Sequence, residues 1–157
     1  MVEYASFTCP HCAHFHETVF FDLKKNYIDT GKVHFTYVPF SFLGPESLQA
    51  AEAAYCAMDQ GKFWDFHDIL FANQAGENAG NYSDSKLKGF AQQLKLDTAA
   101  FNACFDANTH EQKVLDNLEY GRGKGVNATP YFIVNDGTPV DMNALEAAVD
   151  AALAAAQ

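Results

Sequence analysis

The chain has 157 residues and a formal net charge of −10 at pH 7, with its ten lysines and arginines scattered along the sequence. Nucleic-acid binding needs clustered basic side chains, so this charge pattern argues against a nucleic-acid partner. With 48% hydrophobic and 14% aromatic residues, the composition predicts one folded domain rather than a disordered chain, and no apolar run reaches the roughly 18 residues of a membrane span.

A strand, a helix and a second strand are predicted at the start of the chain. Val2–Phe7 alternates weakly between apolar and polar residues, which favours a short strand. Residues 10–29 carry apolar side chains at near-helical spacing, and Thr30-Gly31 ends this helix. Residues 32–40 favour a second strand, in which Pro39 must lie at the end or at the sheet edge because proline has no N–H to donate.

The middle of the chain is helical in pattern, and the end returns to strands. Four helices are predicted, over residues 45–60, 62–73, 83–95 and 98–107. A further helix over residues 109–121 breaks up in the glycine-rich segment 121–125. A hairpin around Asn135-Asp136-Gly137 and a last helix from about Met142 complete the chain.

This order of elements predicts an α/β fold that carries a helical insertion. Residues 1–44 and 109–157 are expected to form one α/β unit, and residues 45–108 an inserted helical subdomain. We expect a right-handed crossover between the first two strands, because nearly all parallel β-α-β connections have that hand.

The segment Cys9-Pro10-His11-Cys12 lies where the first predicted strand gives way to the first predicted helix. Unpaired backbone N–H groups and the positive end of the helix dipole favour the thiolate form of Cys9, and His11 acts in the same direction. Cys12 lies one turn further on, close enough to form a disulfide with Cys9. We therefore predict Cys9 as the reactive thiol, Cys12 as the resolving thiol, and an oxidising rather than reducing pair.

Three other interpretations of this segment were weighed. A zinc site is suggested by the dense set of potential ligands Cys9, His11, Cys12, His14 and His16. A structural zinc site normally takes a second ligand pair from elsewhere in the chain, and no second CxxC or HxxxH occurs, so we assign no metal ligands. A c-type haem site needs histidine directly after the second cysteine, where Ala13 stands. A purely structural disulfide is disfavoured because so small a loop adds little stability.

Aromatic residues are dense in and before the predicted helical block, and they have two interpretations. They either fill the core, which is the common case, or line a groove for unfolded polypeptide. The residues concerned are Phe40, Phe42, Phe63, Trp64, Phe66 and Phe71. His67 and His110 are interpreted as ordinary residues without a chemical role.

A second motif precedes a hydrophobic strand far along the chain, where residues 125–130 read Gly-Val-Asn-Ala-Thr-Pro. Together with the strand that runs into Cys-Pro-His-Cys and the long helical insert, this motif resembles the DsbA-like branch of the thioredoxin superfamily. The matching segments occur in order at Phe7–Cys12, Gln60–Trp64 and Ala128–Pro130. The resemblance covers nearly the whole chain.

The resemblance implies a thioredoxin-like fold and a protein disulfide oxidoreductase that needs no cofactor beyond its redox-active disulfide. Cys9, Pro10, His11 and Cys12 would form the active-site motif. The Thr129–Pro130 peptide bond would be cis and packed against the active-site disulfide, and the Thr129 backbone would bind substrate peptide. The family strand that normally precedes the Cys-x-x-Cys strand is missing here, so one sheet edge is expected to be exposed or covered differently.

The cellular setting follows from the same resemblance. It implies reduced or unfolded polypeptides as substrates, a periplasmic or extracytoplasmic location, and a DsbB-like, quinone-linked membrane partner that reoxidises the pair. No signal peptide is recognisable in the chain, and we expect a monomer. A disulfide isomerase or reductase on the same scaffold is the nearer alternative, and a zinc-binding module the more distant one.

Glu3 and a second cysteine pair complete the candidate residues. Glu3 lies six residues before Cys9, where the family often carries a buried acid that assists proton transfer at Cys12; the alternative is a surface glutamate at the edge of a strand. Cys56 and Cys104 are either two buried free thiols or a structural disulfide of the kind that a subset of the family carries. Closing their loop would contribute roughly 4 kcal/mol in the chain-entropy model.

Overall fold

A mixed sheet of three strands forms the centre of the computed structural model, which describes residues 1–156. The strands are β1 (Val2–Ala5), β2 (Thr36–Pro39) and β3 (Tyr131–Ile133). Their order is β2-β1-β3, with β1 parallel to β2 and antiparallel to β3. Because β1 is the central strand, the residues that follow it lie at the middle of the sheet, beyond the end of that strand. Strand β2 is an outer strand, where Pro39 is tolerated.

The first helix is interrupted rather than continuous. It consists of α1 (Pro10–Thr18), α2 (Phe20–Leu23) and a π-helical turn over Lys24–Ile28. The break falls at Val19, whose φ of −101° departs from the helical value. Gly31, at a φ of +74°, then turns the chain towards β2, which begins four residues later than the sequence pattern predicts.

The four helices predicted for the middle of the chain are confirmed. They are α3 (Pro45–Met58), α4 (Phe63–Ala72), α5 (Asp84–Gln93) and α6 (Thr98–Asp106). Helix α3 lies at the centre of this block, since it packs against α4, α5 and α6. Five of its alanines, Ala50, Ala51, Ala53, Ala54 and Ala57, are fully buried. Their small side chains let neighbouring helices approach α3 on several sides.

Helix α7 (Glu111–Gly123) runs two residues further than predicted and ends inside the glycine-rich segment 121–125. A Cβ atom on Gly121 would lie 2.8 Å from the Phe40 ring and 3.1 Å from the Tyr4 ring. The glycine therefore serves close packing of α7 on the sheet, and its role is steric rather than conformational. The helix ends before Gly125, which has a φ of +86°.

The last part of the chain differs from the predicted hairpin. In residues 1–156, a single isolated bridge follows in place of a second strand: it joins Phe132 of β3 to Val140, around a turn in which Asn135 and Asp136 have positive φ values. The final helix, α8 (Leu145–Ala155), begins three residues later than predicted. It packs with Phe132 against Phe15 of α1 and closes a second hydrophobic cluster.

The thioredoxin-like α/β class predicted from the sequence is confirmed by this architecture. The division into residues 1–44 with 109–157 and an insert over 45–108 stays a prediction. The helical block is not isolated from the rest of the chain, because Ala51 and Tyr55 of α3 pack with Val114 of α7. Within residues 1–156, none of the helices combines the length and the apolar character that crossing a membrane requires.

The steric role of Gly121 is testable by a matched pair of substitutions. Gly121→Ala should lower the free energy of unfolding by about 1–3 kcal/mol, because a methyl group there overpacks the site against Phe40 and Tyr4. Gly123→Ala, on the same helix with nothing within 4 Å of its Cβ position, should be neutral or stabilise by up to about 1 kcal/mol. Urea unfolding measures both; equal stabilities would contradict the steric role.

Candidate active site

Cys9 and Cys12 lie at the start of α1, directly beyond the central strand. Cys9 is the N-cap residue, and its carbonyl accepts hydrogen bonds from the backbone N–H groups of Cys12 and Ala13, both at 3.1 Å. Both thiols are free. Cys9 retains 5% exposure and Cys12 none, whereas Pro10 and His11 are exposed. Cys9 is therefore the thiol of the two that another molecule can reach first.

The loop between α4 and α5 holds the strand-to-helix junction in place. Gln74 donates its side-chain amide to the carbonyls of Phe7 and Cys9, at 3.0 and 2.8 Å. The buried Tyr82 hydroxyl also lies within hydrogen-bond distance of the Phe7 carbonyl, at 3.1 Å. Sequence reasoning missed both residues. They have no motif, and only the fold brings their loop to the active-site turn.

Thr129 and Pro130, for which the family resemblance implies a place at the active site, are brought to Cys9 through the Thr129 carbonyl. The Thr129–Pro130 peptide bond is cis, and the Cys9 thiol donates to the Thr129 carbonyl at 3.5 Å. The Thr129 hydroxyl has no hydrogen-bond partner and is buried. The chain segment before β3 thus presents backbone and side-chain polar groups directly at the reactive sulfur.

The two thiols have opposite electrostatic environments. The hydrogen bond from the Cys12 thiol lowers the pKa of Cys9 to about 6, assisted by Thr129 and by the backbone N–H groups of Cys12 and His11, while burial acts against them. Burial raises the pKa of Cys12 well above its ordinary value, and its hydrogen bond to Cys9 and the charges of Cys9 and Glu3 add to that rise. In the reduced protein Cys9 therefore ionises near neutral pH while Cys12 keeps its proton.

Glu3 lies in the central strand and is fully buried. The interpretation of Glu3 as a surface residue at a strand edge is therefore wrong, because β1 has a neighbouring strand on each side. One carboxylate oxygen, Oε1, lies 3.2 Å from Nε2 of His16, whose side chain is 7% exposed. The other oxygen has no hydrogen-bond partner. Glu3 is thus a buried acid with a histidine as its polar partner.

Sequence reasoning counted His16 as a potential zinc ligand and missed its pairing with Glu3. The spacing of four residues between Cys12 and His16 was the available signal, because it places both side chains on the same face of α1. The sheet is what brings Glu3 to that face, and the sequence alone does not show it.

His67 extends this buried polar group towards the surface. Its ring is 1% exposed and its centroid lies 4.6 Å from that of His16. Burial lowers the pKa of His67, so the neutral ring is favoured. Nδ1 lies 2.8 Å from the exposed Asp68 carboxylate, and Nε2 has no partner. A cleft of about 240 Å³, lined in part by His16, His67 and Phe71, opens here. His67 is therefore a buried histidine that lines this cleft.

The aromatic residues divide between the two interpretations. Phe40, Phe66 and Phe71 are buried in the core. Trp64 is 44% exposed and lines, with Phe20 and Phe35, an apolar cleft of about 510 Å³ beside the loop that precedes β2. The core interpretation is correct for the first three residues, and Trp64 belongs to a surface cleft.

Cys56 and Cys104 form a disulfide that joins α3 to α6. Cys56 is buried among core residues, and Cys104 packs against the same cluster from a less buried position. His110 lies beside the disulfide, with its ring 2.7 Å from the Asp59 carboxylate. The second cysteine pair therefore lies in the helical block and leaves Cys9 and Cys12 as the free thiols of the described residues.

Comparison with known sequences points to one family. A sequence model of the thioredoxin family matches residues 1–153. The chain is 32% identical over 158 residues to a Rickettsia bellii protein whose name describes a protein-disulfide oxidoreductase, a match that covers 98% of this chain and 60% of the relative. A Bacillus anthracis protein named for disulfide bond formation is 29% identical over 156 residues, covering 96% of this chain and 71% of the relative. The chain thus spans only about 60% of the length of the Rickettsia relative.

Comparison with solved structures gives the same result. The fold is similar to that of oxidised BdbD from Bacillus subtilis, with a TM-score of 0.87 and 26% sequence identity, over 98% of this chain and 86% of that chain. It is also similar to α-DsbA1 from Wolbachia pipientis, with a TM-score of 0.81 and 27% identity, over 99% of this chain and 85% of that chain.

The asymmetry between the two thiols gives a direct titration. In the reduced protein, the ultraviolet absorbance of thiolate should rise with a pKa near 6, the value of Cys9. Cys12→Ala should raise that pKa, because it removes the hydrogen bond that stabilises the Cys9 thiolate most. The oxidised protein, which has no free thiols, is the blank. A pKa near the ordinary thiol value of about 8.5 in the reduced protein would contradict the assignment.

Proposed function

The chain belongs to the DsbA-like branch of the thioredoxin superfamily, and from that premise we propose that it is a thiol–disulfide oxidoreductase that donates its Cys9–Cys12 disulfide to secreted proteins. The observation that carries the proposal is the contrast between the two thiols. Cys9 has a lowered pKa and residual exposure, whereas the fully buried Cys12 has a raised pKa. This contrast assigns the two cysteines different steps of thiol–disulfide exchange.

The first step forms a mixed disulfide. A substrate thiolate attacks the Cys9 sulfur of the oxidised protein, the Cys9–Cys12 bond breaks, and its electron pair leaves with the Cys12 sulfur. The pKa of the Cys12 thiol is raised well above its ordinary value, so the departing thiolate takes up a proton as it forms. A substrate sulfur is then bonded to Cys9.

The second step releases the oxidised product. Another substrate thiolate attacks the substrate sulfur of the mixed disulfide, the bond to Cys9 breaks, and Cys9 leaves as a thiolate. Because the pKa of Cys9 is about 6, this thiolate is stable at neutral pH and is a good leaving group. The substrate gains a disulfide, and the protein ends with Cys9 ionised and Cys12 protonated.

The same contrast favours the oxidising direction. Each unit by which the pKa of Cys9 falls favours the reduced form by about 1.4 kcal/mol, which makes the couple roughly 30 mV more oxidising. A pKa of about 6 lies about one unit below neutral pH, and since only that part of the shift stabilises the reduced form at pH 7, it corresponds to about 30 mV. His11, exposed between the two cysteines, is positioned to add its positive charge when protonated.

Substrate binding is assigned to the segment before β3. The Thr129 carbonyl lies within 3.5 Å of the Cys9 sulfur, so the backbone beside Pro130 offers strand-like hydrogen bonds at the point of attack. An extended, reduced polypeptide is the partner that such a backbone edge fits. Sequence-independent pairing of this kind suits a protein that acts on many unfolded substrates.

The proposed setting is the periplasm or another extracytoplasmic compartment, where disulfides persist. There the protein acts as a monomer without a separate cofactor, and a DsbB-like, quinone-linked membrane protein returns Cys9 and Cys12 to the disulfide. The name of the Bacillus anthracis relative, which refers to disulfide bond formation, supports this direction.

Two cysteine variants test the mechanism. Cys9→Ser should abolish oxidation of a reduced dithiol peptide, because the attacked sulfur is gone. Cys12→Ser should trap the mixed disulfide that forms when the Cys9 thiolate attacks the disulfide of an oxidised peptide and displaces one peptide sulfur as a thiolate. The trapped species is visible by non-reducing electrophoresis, because Cys12 is no longer present to attack the Cys9 sulfur and release the peptide. Full oxidase activity in the Cys9→Ser protein would overturn the proposal.

The reduction potential of the Cys9–Cys12 pair, equilibrated against glutathione, separates the proposed oxidase from its nearest alternative. A potential above that of the glutathione couple supports disulfide donation. A strongly reducing potential would assign the same site to a reductase.

Proton delivery to Cys12 is assigned to Glu3 with His16 as its partner. Glu3 acts on Cys12 through its charge, which raises the pKa of that thiol. His16 contacts the Glu3 carboxylate at 3.2 Å and reaches the cleft beside α4. A proton that arrives from solvent at His16 therefore has a short path to the carboxylate beneath Cys12.

Substitutions of Glu3 and His16 test their proposed roles in proton delivery. In a Cys9→Ser background, Glu3→Gln should lower the pKa of Cys12, because it removes a nearby negative charge. In the intact pair, His16→Gln should slow reduction of the oxidised protein by a dithiol about tenfold or more, and weaken the dependence of that rate on pH. His14→Gln, exposed on the same helix, is the control. An unchanged rate and pH profile for His16→Gln would remove His16 from proton delivery.

A further inference from the structure

A second cluster of reactive side chains lies where three helices meet. Cys56 lies near the end of α3, Cys104 lies on α6, and His110 directly precedes α7. The two sulfurs and a ring nitrogen of His110 all lie within 4.8 Å of one another. The spacing of these residues in the sequence does not predict the cluster, because each of them lies on or next to a different helix.

The donor atoms of this cluster are those that zinc prefers. Structural and catalytic zinc sites combine cysteine thiolates and histidine nitrogens, with Zn–S distances of about 2.3 Å and Zn–N distances of about 2.0 Å. Tetrahedral geometry then separates neighbouring ligand atoms by about 3.3–3.8 Å. The cluster already lies within 4.8 Å, so side-chain rotations suffice to reach this spacing once the two sulfurs are no longer bonded to each other.

Asp59, which follows the last residue of α3, supplies an oxygen at the same place. Its Oδ2 atom lies 2.7 Å from Nε2 of His110 and 3.8 Å from the sulfur of Cys104. The carboxylate side chain is half exposed, so an ion can approach from solvent on this side. Two sulfurs, one nitrogen and one oxygen give a complete tetrahedral ligand set.

Contacts other than the disulfide hold these residues in place. The backbone N–H of His110 donates to the Glu52 carboxylate of α3 at 3.1 Å. Cys56 belongs to the same hydrophobic cluster as Phe101 and Phe105 of α6. Because α3 packs against both α6 and α7 through such contacts, these contacts continue to hold the three helices together when the disulfide is reduced.

We propose that reduction of the Cys56–Cys104 disulfide converts this cluster into a zinc site with Cys56, Cys104, His110 and Asp59 as its ligands. A dithiol reductant transfers two electrons and two protons to the disulfide, which yields two thiols and closes the disulfide of the reductant. Zn²⁺ then binds both sulfurs as thiolates and displaces their two protons. Disulfide and zinc are thus alternative links between α3 and α6, and the inference does not depend on the function of Cys9 and Cys12.

Cobalt(II) substitution tests this site. The full chain with Cys9→Ser and Cys12→Ser, in which Cys56 and Cys104 are the remaining cysteines, is reduced with dithiothreitol, separated from it without oxygen, and titrated with Co²⁺. We expect a sulfur-to-cobalt charge-transfer band and the intense visible bands of tetrahedral cobalt, saturating at one equivalent. Addition of Zn²⁺ should remove them. The same protein with its disulfide intact should show neither band.

Single substitutions identify the ligands. His110→Ala and Asp59→Ala should each weaken Co²⁺ binding about tenfold or more, because each removes one of four donors. His34→Ala, which removes an exposed histidine outside the cluster, should bind Co²⁺ as the parent does. Unchanged affinity in the His110→Ala protein would overturn the proposal.

The folding state of the reduced protein is followed by circular dichroism during the titration. A reduced protein that keeps its helical signal but gives no tetrahedral cobalt bands contradicts the proposal. If reduction lowers the helical signal, Zn²⁺ should restore it. Failure of Zn²⁺ to restore it, together with absent cobalt bands, also overturns the zinc site.

Discussion

The burial of one thiol directly beside another is the constraint on which the chemistry of this protein depends. Burial disfavours the ionised form of Cys12 and is the largest contribution to the rise of its pKa, against which a backbone hydrogen bond from Ser6 acts only in part. Its proton is therefore available to hydrogen-bond Cys9, and this bond is the largest contribution to the lowered pKa of Cys9. The low pKa of Cys9 is thus a consequence of the high pKa of Cys12, and the high pKa of Cys12 follows from its burial at the start of α1.

The helical block, residues 45–108, helps to hold the start of α1 in place. Gln74 and Tyr82 both reach from this block to the buried Phe7 carbonyl, and Gln74 also donates to the Cys9 carbonyl. The junction between β1 and α1 is therefore held by residues of the loop between α4 and α5. The helical block therefore does more than cover the sheet, because its side chains donate hydrogen bonds to backbone carbonyls of the active-site turn.

Local signals predicted what local physics decides. Helix α3 begins at Pro45 after Gly44, and α6 begins after Asp97, whose carboxylate accepts from the N–H groups of its first turn. These helices and the Cys-Pro-His-Cys turn could therefore be predicted from the sequence. Features that depend on distant contacts could not. Gly121 is a helix breaker by composition and a packing residue by position, and Glu3 was ambiguous until β1 was seen at the centre of the sheet. The partnership of His16 with Glu3 needed both the helix face and the sheet order.

The close approach of α7 to the sheet has an evolutionary consequence. The space that a side chain at Gly121 would need is occupied by the rings of Phe40 and Tyr4, so the volumes at these positions are exchangeable only together. A lineage that enlarges position 121 must first shrink position 40 or shift the whole helix, and the helix position is tied to the β2 edge. Among descendants of this chain, positions 40 and 121 should therefore covary in size, with the large residue either directly after β2 or on α7 but never at both positions.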